Sequence, residues 1–479
     1  MHQSPAPIPP ESSSKTSFTR EEWRGVGGLT GLLMLRMLGF YLVLPILTPY
    51  TRELAGSTPL LVGLSVGIYG LTQTLFQIPF GALSDRWGRK PVLTAGLGLF
   101  AIGSAVCAVA DTALILVAGR LIQGMGAIAS VVVAMLADLT RDRVRGRAMA
   151  LIGISIGASF SIGLLFGPTA SAQIGVPNLF WFTAALTLLG IAALWWLIPT
   201  PPRVTHHEEA EYSGEHLFEV VTNRHLLRLD LGVFNLHMCL TSIFVTMPFL
   251  IEEHVDPAQM WRIFLPLLVV GFVVILSGPR LAERKGGGKM VALGGQGILI
   301  GALVVLALSS PASVTQPDIG LKALLAGLGV FIVAFALLEP LLPSLLTRLC
   351  QQANRGTAAG IFNMSQFSGA FVGGLISGVF LERDLSGLFW ILAGTSFLWF
   401  LAAIRLEDPE HMTVMSFSLA DTGDDDRKRV VKRLLKIRGV EDVAWEKERG
   451  RILVRYAEER VDSAHLRTIV EEMLSSISS

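Results

Sequence analysis

The charges that could do chemistry in this sequence lie inside apolar runs. Arg36 sits in LLMLRMLGFYLVLP, Arg120 in GRLIQGMGA, His237 in FNLHMCL and Glu339 in AFALLEPLLPSLL. A charge surrounded by hydrocarbon is costly, so each should face a cavity or a partner. An isolated buried carboxylate holds its proton more tightly than in water, which suits proton exchange near neutral pH. Histidine as a residue type changes charge near neutral pH, which makes His237 a second candidate. Gln123 follows Arg120 by three residues and adds a polar group to the same face. A structural reading stands beside each. Arg36 lies about two turns into its run and can snorkel. A lone His on an apolar helix is commonly a hydrogen-bonded core group, and Glu339 can serve as a partner for a cation or the backbone. A second constellation is GALSDRWGRK, Gly81 to Lys90. One acid, Asp85, stands among Arg86, Arg89 and Lys90, with Gly81 and Gly88 to permit a sharp turn. The stretch reads as a tight loop at a membrane surface. Asp138, at the end of a later run, can join Asp85 and Arg89 in a charge cluster.

These residues need long apolar elements to position them. The chain has 479 residues, 51% hydrophobic and only 16% charged. Twelve stretches approach the roughly 20 apolar residues of a spanning helix. They cover about 26–49, 60–80, 91–110, 113–137, 147–171, 177–198, 226–250, 262–281, 289–309, 320–346, 357–381 and 387–404. The basic loops Gly81–Lys90, Arg141–Arg147 and Pro201–Arg228 fall on one side. Thr51–Thr58, Glu252–Gln259 and Ser309–Asp318 are poor in Lys and Arg and fall on the other. Basic loops stay in the cytoplasm, so both termini are expected there.

The polar loop 200–224 divides the membrane part into halves, 25–199 and 225–406. Leu-Thr-Arg followed by Arg-Gly occurs near Leu139 and again near Leu346, and Gly278 to Lys289 is a degenerate copy of the first basic loop. Two similar halves imply a pseudo-two-fold axis along the membrane normal. Residues 1–24 read as a disordered, Pro/Ser-rich tail without a cleavable signal. Residues 412–479 are charged and read as β-α-β-β-α, which resembles a small ferredoxin-like domain with or without its last strand. A unit this small invites docking or self-association. The net charge of +1 gives no reason to expect nucleic-acid binding. Cys107, Cys239 and Cys350 lie scattered in apolar runs, so neither a disulfide framework nor a metal site is expected. No cofactor is expected either.

The motifs are similar to those of a known family. Gly-x-x-x-Asp-Arg-x-Gly-Arg-Lys resembles the loop between helices 2 and 3 of the major facilitator superfamily. Arg-x-x-Gln-Gly-x-Gly from Arg120 resembles that family's span-4 motif, whose Arg is associated with proton coupling. Gly163, Gly167 and Pro168 resemble the span-5 motif linked with exporters and antiporters, though its usual following glycine pair is absent. The resemblance implies an all-α membrane protein of twelve helices in two six-helix halves, plus the small α+β ferredoxin-like domain. It implies that spans 1, 4, 7 and 10 line one central space holding Arg36, Arg120, His237 and Glu339. It also implies that Asp85, Arg89 and Asp138 form a cluster beside the start of span 11, near Arg355–Thr357, which locks an outward-open state.

The function expected is a secondary active transporter in a bacterial inner membrane. Proton-driven export of small amphipathic molecules by alternating access is the first reading, with protons, a small-molecule substrate and the bilayer as partners. Proton-coupled uptake is an alternative. A membrane sensor regulated through the tail is an alternative of another class. No nucleophile–base set or phosphate-cradling loop suggests an enzyme.

Overall fold

The computed structural model describes residues 18–200, 220–252, 255–256, 259–282, 287–310, 317–350, 355–406, 412–418, 430–431, 433–435, 437, 439–446, 451–457 and 461–478. Most of these residues are helical. The helices are α1 Arg20–Val43, α2 Leu47–Glu53, α3 Pro59–Trp87, α4 Arg89–Ala108, α5 Ala113–Met125, α6 Ala129–Leu139, α7 Asp142–Ile174 and α8 Val176–Trp196. They continue with α9 Arg224–Glu252, α10 Trp261–Ala282, α11 Gly287–Ser309, α12 Pro317–Leu349, α13 Arg355–Phe380 and α14 Leu385–Ile404. Ten helical stretches are long and apolar enough to cross a membrane. The two other expected spans fall on α10, whose apolar stretch Trp261–Ile275 is shorter, and on α13. Outward-facing Trp181, Phe182, Leu188, Leu189 and Trp196 on α8 are exposed, as suits a surface covered by lipid.

Local chemistry explains the breaks. A capping box starts α1: the Thr19 hydroxyl accepts from the Glu22 N–H at 3.2 Å and the Glu22 carboxylate accepts from the Thr19 N–H at 2.8 Å. The tail expected over 1–24 is therefore corrected at its inner end, because the helix begins at Arg20; residues 1–17 lie outside the described residues. The first span is interrupted by a 3-10 turn at Leu44–Ile46, where Pro45 lacks an N–H. The fourth span is not one helix. It breaks at Gly126–Ile128 between α5 and α6.

The loop expected from Gly81 to Lys90 is also corrected. Gly81 to Trp87 continue α3, and the reversal falls on Gly88 alone, with φ +94° and ψ 156°. Only glycine adopts that region readily. A helix keeps its own backbone groups bonded while its polar end reaches the interface, so no long loop is needed. Gly175 makes the turn between α7 and α8 in the same way, with φ +80°.

Residues 1–280 with 291–405 form one compact unit. Within it, the closest approach between halves is α3 against α13. A side chain at Gly63 would collide with the backbone of Gly374 and Gly378, and the Gly67 and Gly70 positions abut Phe371 and Phe367 of α13. Thr74 Oγ1 donates to the Met364 carbonyl at 3.3 Å. These contacts run from Pro59 to Thr74. At Gly81 the nearest neighbour is Ser130 of the same half. Phe160 meets Phe244 edge to face, and Arg52 lies 4.5 Å from the Phe249 ring centre, both also across the halves.

Residues 281–290 with 406–479 form the second unit. Strands β1 Met412–Ser418, β2 Val440–Glu446 and β3 Arg451–Ala457 make an antiparallel sheet in the order β1-β3-β2. Phe417, Ile452, Val454 and Tyr456 pack against Val430, Leu434, Leu466 and Val470. Leu466 and Val470 belong to α15, Ser463–Ser478, and Asp462 accepts from the Ala464 N–H at its start. The hairpin turn expected at Glu448–Gly450 lies outside the described residues.

Candidate functional site

Three polar clusters are set in the apolar helices. The first gathers around the Gly88 turn. Arg89, the first residue of α4, donates from Nε to Asp138 Oδ2 at 2.9 Å and from a terminal nitrogen to Ser84 Oγ at 2.6 Å and to Asp85. One guanidinium thus ties α3, α4 and α6. The Asp85 carboxylate is 53% exposed, so its bond contributes little by itself, about 0–1 kcal/mol. Lys90 is buried; it donates to the Ile198 carbonyl at 2.7 Å and lies against the Trp195 ring. Arg86 points outward. The expected triad of Asp85, Arg89 and Asp138 comes together. Its expected seat at the start of span 11 adjoins residues 351–354, outside the described residues, and the described ion-pair partner of Asp85 is Arg89. Beside this cluster, Arg141 donates to both carboxylate oxygens of Glu22 at 2.7 and 2.9 Å. That hydrogen bonding holds the Arg141 guanidinium above its ordinary pKa.

The second cluster is inside the N-terminal half. Arg36, 2% exposed, donates to the Tyr69 hydroxyl at 2.9 Å and to the Gly126 carbonyl at 3.0 Å, with the Phe100 ring 5.0 Å from its charge. Gly126 ends α5, so Arg36 places a cation on the negative end of a helix dipole at the break in span 4. Arg120, 1% exposed, donates to the Ser65 carbonyl at 3.0 Å and to Gln123 Oε1 at 2.8 Å. Gln123 passes the bond on to Ser104 at 2.7 Å, and the rings of Phe40 and Tyr69 flank the Arg120 charge. Gln73 also bonds Tyr69. Carbonyls, hydroxyls and ring faces hold both arginines; among the described residues no acid pairs with either.

The third cluster is in the C-terminal half. His237 of α9 faces Glu339 of α12, with Nε2 to Oε2 at 3.7 Å. Its Nδ1 lies 3.1 Å from the Val233 carbonyl, and its Nε2 lies 2.7 Å from Gln366 Nε2 of α13. Phe335 packs edge-on against the imidazole. Glu339 Oε2 is buried without a hydrogen bond. Asn235 turns elsewhere, to Ser396 on α14.

The four residues expected around a single space, Arg36, Arg120, His237 and Glu339, hydrogen-bond in two clusters, one in each half. The arginines point into the seams between N-terminal helices: Arg36 meets the Gly126 carbonyl at the span-4 break, and Arg120 meets the Ser65 carbonyl of α3 and the Gln123 side chain. Tyr41 of α1 interacts electrostatically with both Glu339 and Arg36. The expected span-5 packing positions have one place: Gly163 and Gly167 of α7 abut the backbone of Tyr41 and Leu42, and Pro168 follows Gly167 directly.

The helical architecture and these motifs carry a family assignment. The sequence model of the Major Facilitator Superfamily matches residues 29–333. The chain belongs to that superfamily. It is 35% identical to the inner membrane transport protein YajR of Escherichia coli (strain K12), over 89% of this chain and 92% of that one. A class C tetracycline resistance protein of Escherichia coli is 35% identical over 35% of this chain and 42% of its own length. Among solved structures, the nucleoside transporter NupG superposes with a TM-score of 0.64 at 17% identity, covering 80% of this chain and 99% of that one. The protein is thus a multi-pass membrane transporter by family.

Sequence reasoning missed Gln366, Tyr69, Glu22 and Asp230. Gln366 and Tyr69 carry no charge, so nothing marked them against neighbouring small and aromatic residues. Asp230 had a signal: it lies seven residues before His237, on the same side of α9. It is buried, and Oδ1 has no partner.

Proposed function

We propose that the protein is a proton-driven exporter of small amphipathic molecules that works by alternating access. The observation carrying this reading is the His237–Glu339 pair, two titratable groups facing one another at membrane depth with a buried carboxylate oxygen left unbonded. Such a pair holds its proton according to the state of its surroundings. The basic Gly88 turn is read as cytoplasmic, with both termini on that side. The halves are in contact from Pro59 to Thr74, the far end, which corresponds to an inward-facing state.

Proton binding at Glu339 and His237 adds positive charge to the C-terminal half and favours one of the two closures. The membrane potential assists, since a charge crossing 100 mV gains about 2.3 kcal/mol. Asp85, Arg89 and Asp138 are read as the cluster that breaks and re-forms as the halves rock. Gly163, Gly167 and Pro168 are read as the packing surface that lets α7 move against α1. Phe335 packs edge-on against His237, and Tyr41, Phe160 and Phe244 form a chain of edge-to-face rings that reaches across the halves, which suits amphipathic compounds. A relative named for tetracycline resistance supports export as the direction. The C-terminal unit, with its three-stranded sheet and two helical segments, is read as a ferredoxin-like domain without its last strand, placed in the cytoplasm and open to self-association.

The test is transport of ethidium and tetracycline in proteoliposomes of inverted orientation under an imposed pH gradient. Gradient-dependent uptake by the wild type, lost in Glu339→Gln, is the expected result. Uptake that persists in Glu339→Gln sinks the proton site. Gradient-linked movement in the opposite sense makes the protein an importer.

A further inference from the structure

We propose that Gln366 is a positioning residue that links the protonation state of His237 and Glu339 to the contact between α3 and α13. The proposal rests on the transport reading above and names the part that joins its proton site to its moving surface.

The hydrogen bonds fix the tautomer. The Val233 carbonyl can only accept, so Nδ1, 3.1 Å away, carries a proton. Nε2 then offers a lone pair, and the Gln366 amide nitrogen at 2.7 Å donates to it. Glu339 Oε2 approaches the same Nε2 at 3.7 Å and receives no hydrogen bond. The groups around the ring are Glu339 and Phe335 from α12, Gln366 from α13 and Val233 on α9 itself. Tyr41 of α1 reaches Glu339 electrostatically, and Asp230 lies two turns away on α9, roughly 10 Å by helix geometry.

A proton arriving from water adds to the Nε2 lone pair and forms an N–H bond; no other bond breaks. The imidazolium now presents a donor to the donor end of the Gln366 amide. The amide must turn to offer Oε1, or withdraw while the new N–H swings to Glu339 Oε2 as an ion pair. Either response changes the contact of α9 with α13. Gln366 stands on α13 between Met364 and Ser368, and both of these meet Thr74 of α3 at 3.3 Å. Met364 and Ser368 share one face of α13 and Gln366 lies on the opposite face, so α13 itself joins the proton site to the seam between the halves.

The test uses the full chain in lipid nanodiscs. Cys107, Cys239 and Cys350 are replaced by serine, and spin labels are placed at Ala82→Cys and Gly356→Cys, both exposed positions. Label distances are measured from pH 5 to 9. In parallel, His237 is titrated by NMR of labelled histidine, its resonance assigned by loss in His237→Gln. In the wild type the distance is expected to change with the His237 midpoint. Gln366→Met, similar in size but unable to hydrogen-bond, should leave His237 titrating while the distance change loses at least half its amplitude. Gln366→Glu should raise the His237 midpoint by about one pH unit, because a neighbouring anion favours the imidazolium, and the distance midpoint should follow.

The proposal is overturned if Gln366→Met keeps the wild-type amplitude and midpoint, or if the wild-type distance does not follow His237. It is equally overturned if both variants only lower the melting temperature without moving the midpoint. Failure of ethidium and tetracycline transport in the wild type would count against the exporter reading instead, and leaves the pH-linked distance as a separate result.

Discussion

At the scale of single residues, the buried arginines and the buried Asp230 have different jobs. Arg36 and Arg120 hold carbonyls and hydroxyls between helices, so their loss should first appear as instability. A hydrogen bond from a charged donor is worth about 1.5–3 kcal/mol. Arg36→Met gives up two of them, to Tyr69 and Gly126, and should cost about 3 kcal/mol or more. Thermal unfolding in detergent measures this, and an unchanged midpoint would show that the α5 end needs no such cap. Asp230 is the reverse case. Its buried Oδ1 lacks a partner, and an unmet group of this kind costs about 1–3 kcal/mol. Asp230→Leu should therefore melt at a higher temperature than the wild type; a lower one would mean that the carboxyl is held by something it needs. The sequence marked Arg36, Arg120, His237 and Glu339 inside apolar runs, because such charges are rare there, and passed over Asp230 near the start of its run. It did not show which pairs meet. Side-chain direction depends on helix rotation, and the break at Gly126 supplies a carbonyl that no spacing rule reveals.

At the scale of elements, the turn between α3 and α4 is the sharpest test of local geometry. Gly88 combines φ +94° with ψ 156°, a region that costs other residues about 1–3 kcal/mol. Gly88→Ala should weaken folding by that amount and loosen Arg89 from Asp138, which cross-linking of Ala82→Cys to Ala137→Cys can follow. Most spans were legible because lipid demands long apolar helices whatever their neighbours. The expected span 357–381, less apolar than most, is informative. Helix α13 is packed on one side against α3 and on another against α9, where Gly369 and Gly373 abut the Phe234 and Met238 carbonyls. A helix that meets protein on two faces needs small residues more than lipophilic ones, so hydropathy understates it. The Gly81–Trp87 segment misled in the other direction. Its charges suggested a loop, yet a helix end can carry them into the headgroups.

At the scale of the whole molecule, the chain divides into a membrane unit, 1–280 with 291–405, and a second unit, 281–290 with 406–479, that buries its own core around Ile452, Val454 and Tyr456. Deleting Met412–Ser479 should leave the membrane unit able to insert and to purify as a homogeneous species, read by size-exclusion chromatography. Aggregation of the shortened chain would mean that the membrane unit depends on the second for its fold. The seam between the halves is built from backbone lying on backbone: Gly63, Gly67, Gly374 and Gly378 put almost no side chain between α3 and α13. Interlocked side chains would have to unmesh tooth by tooth whenever the halves rock. A smooth seam acts instead as a bearing, with a low barrier and little friction, and it is vulnerable to bulk far more than to polarity.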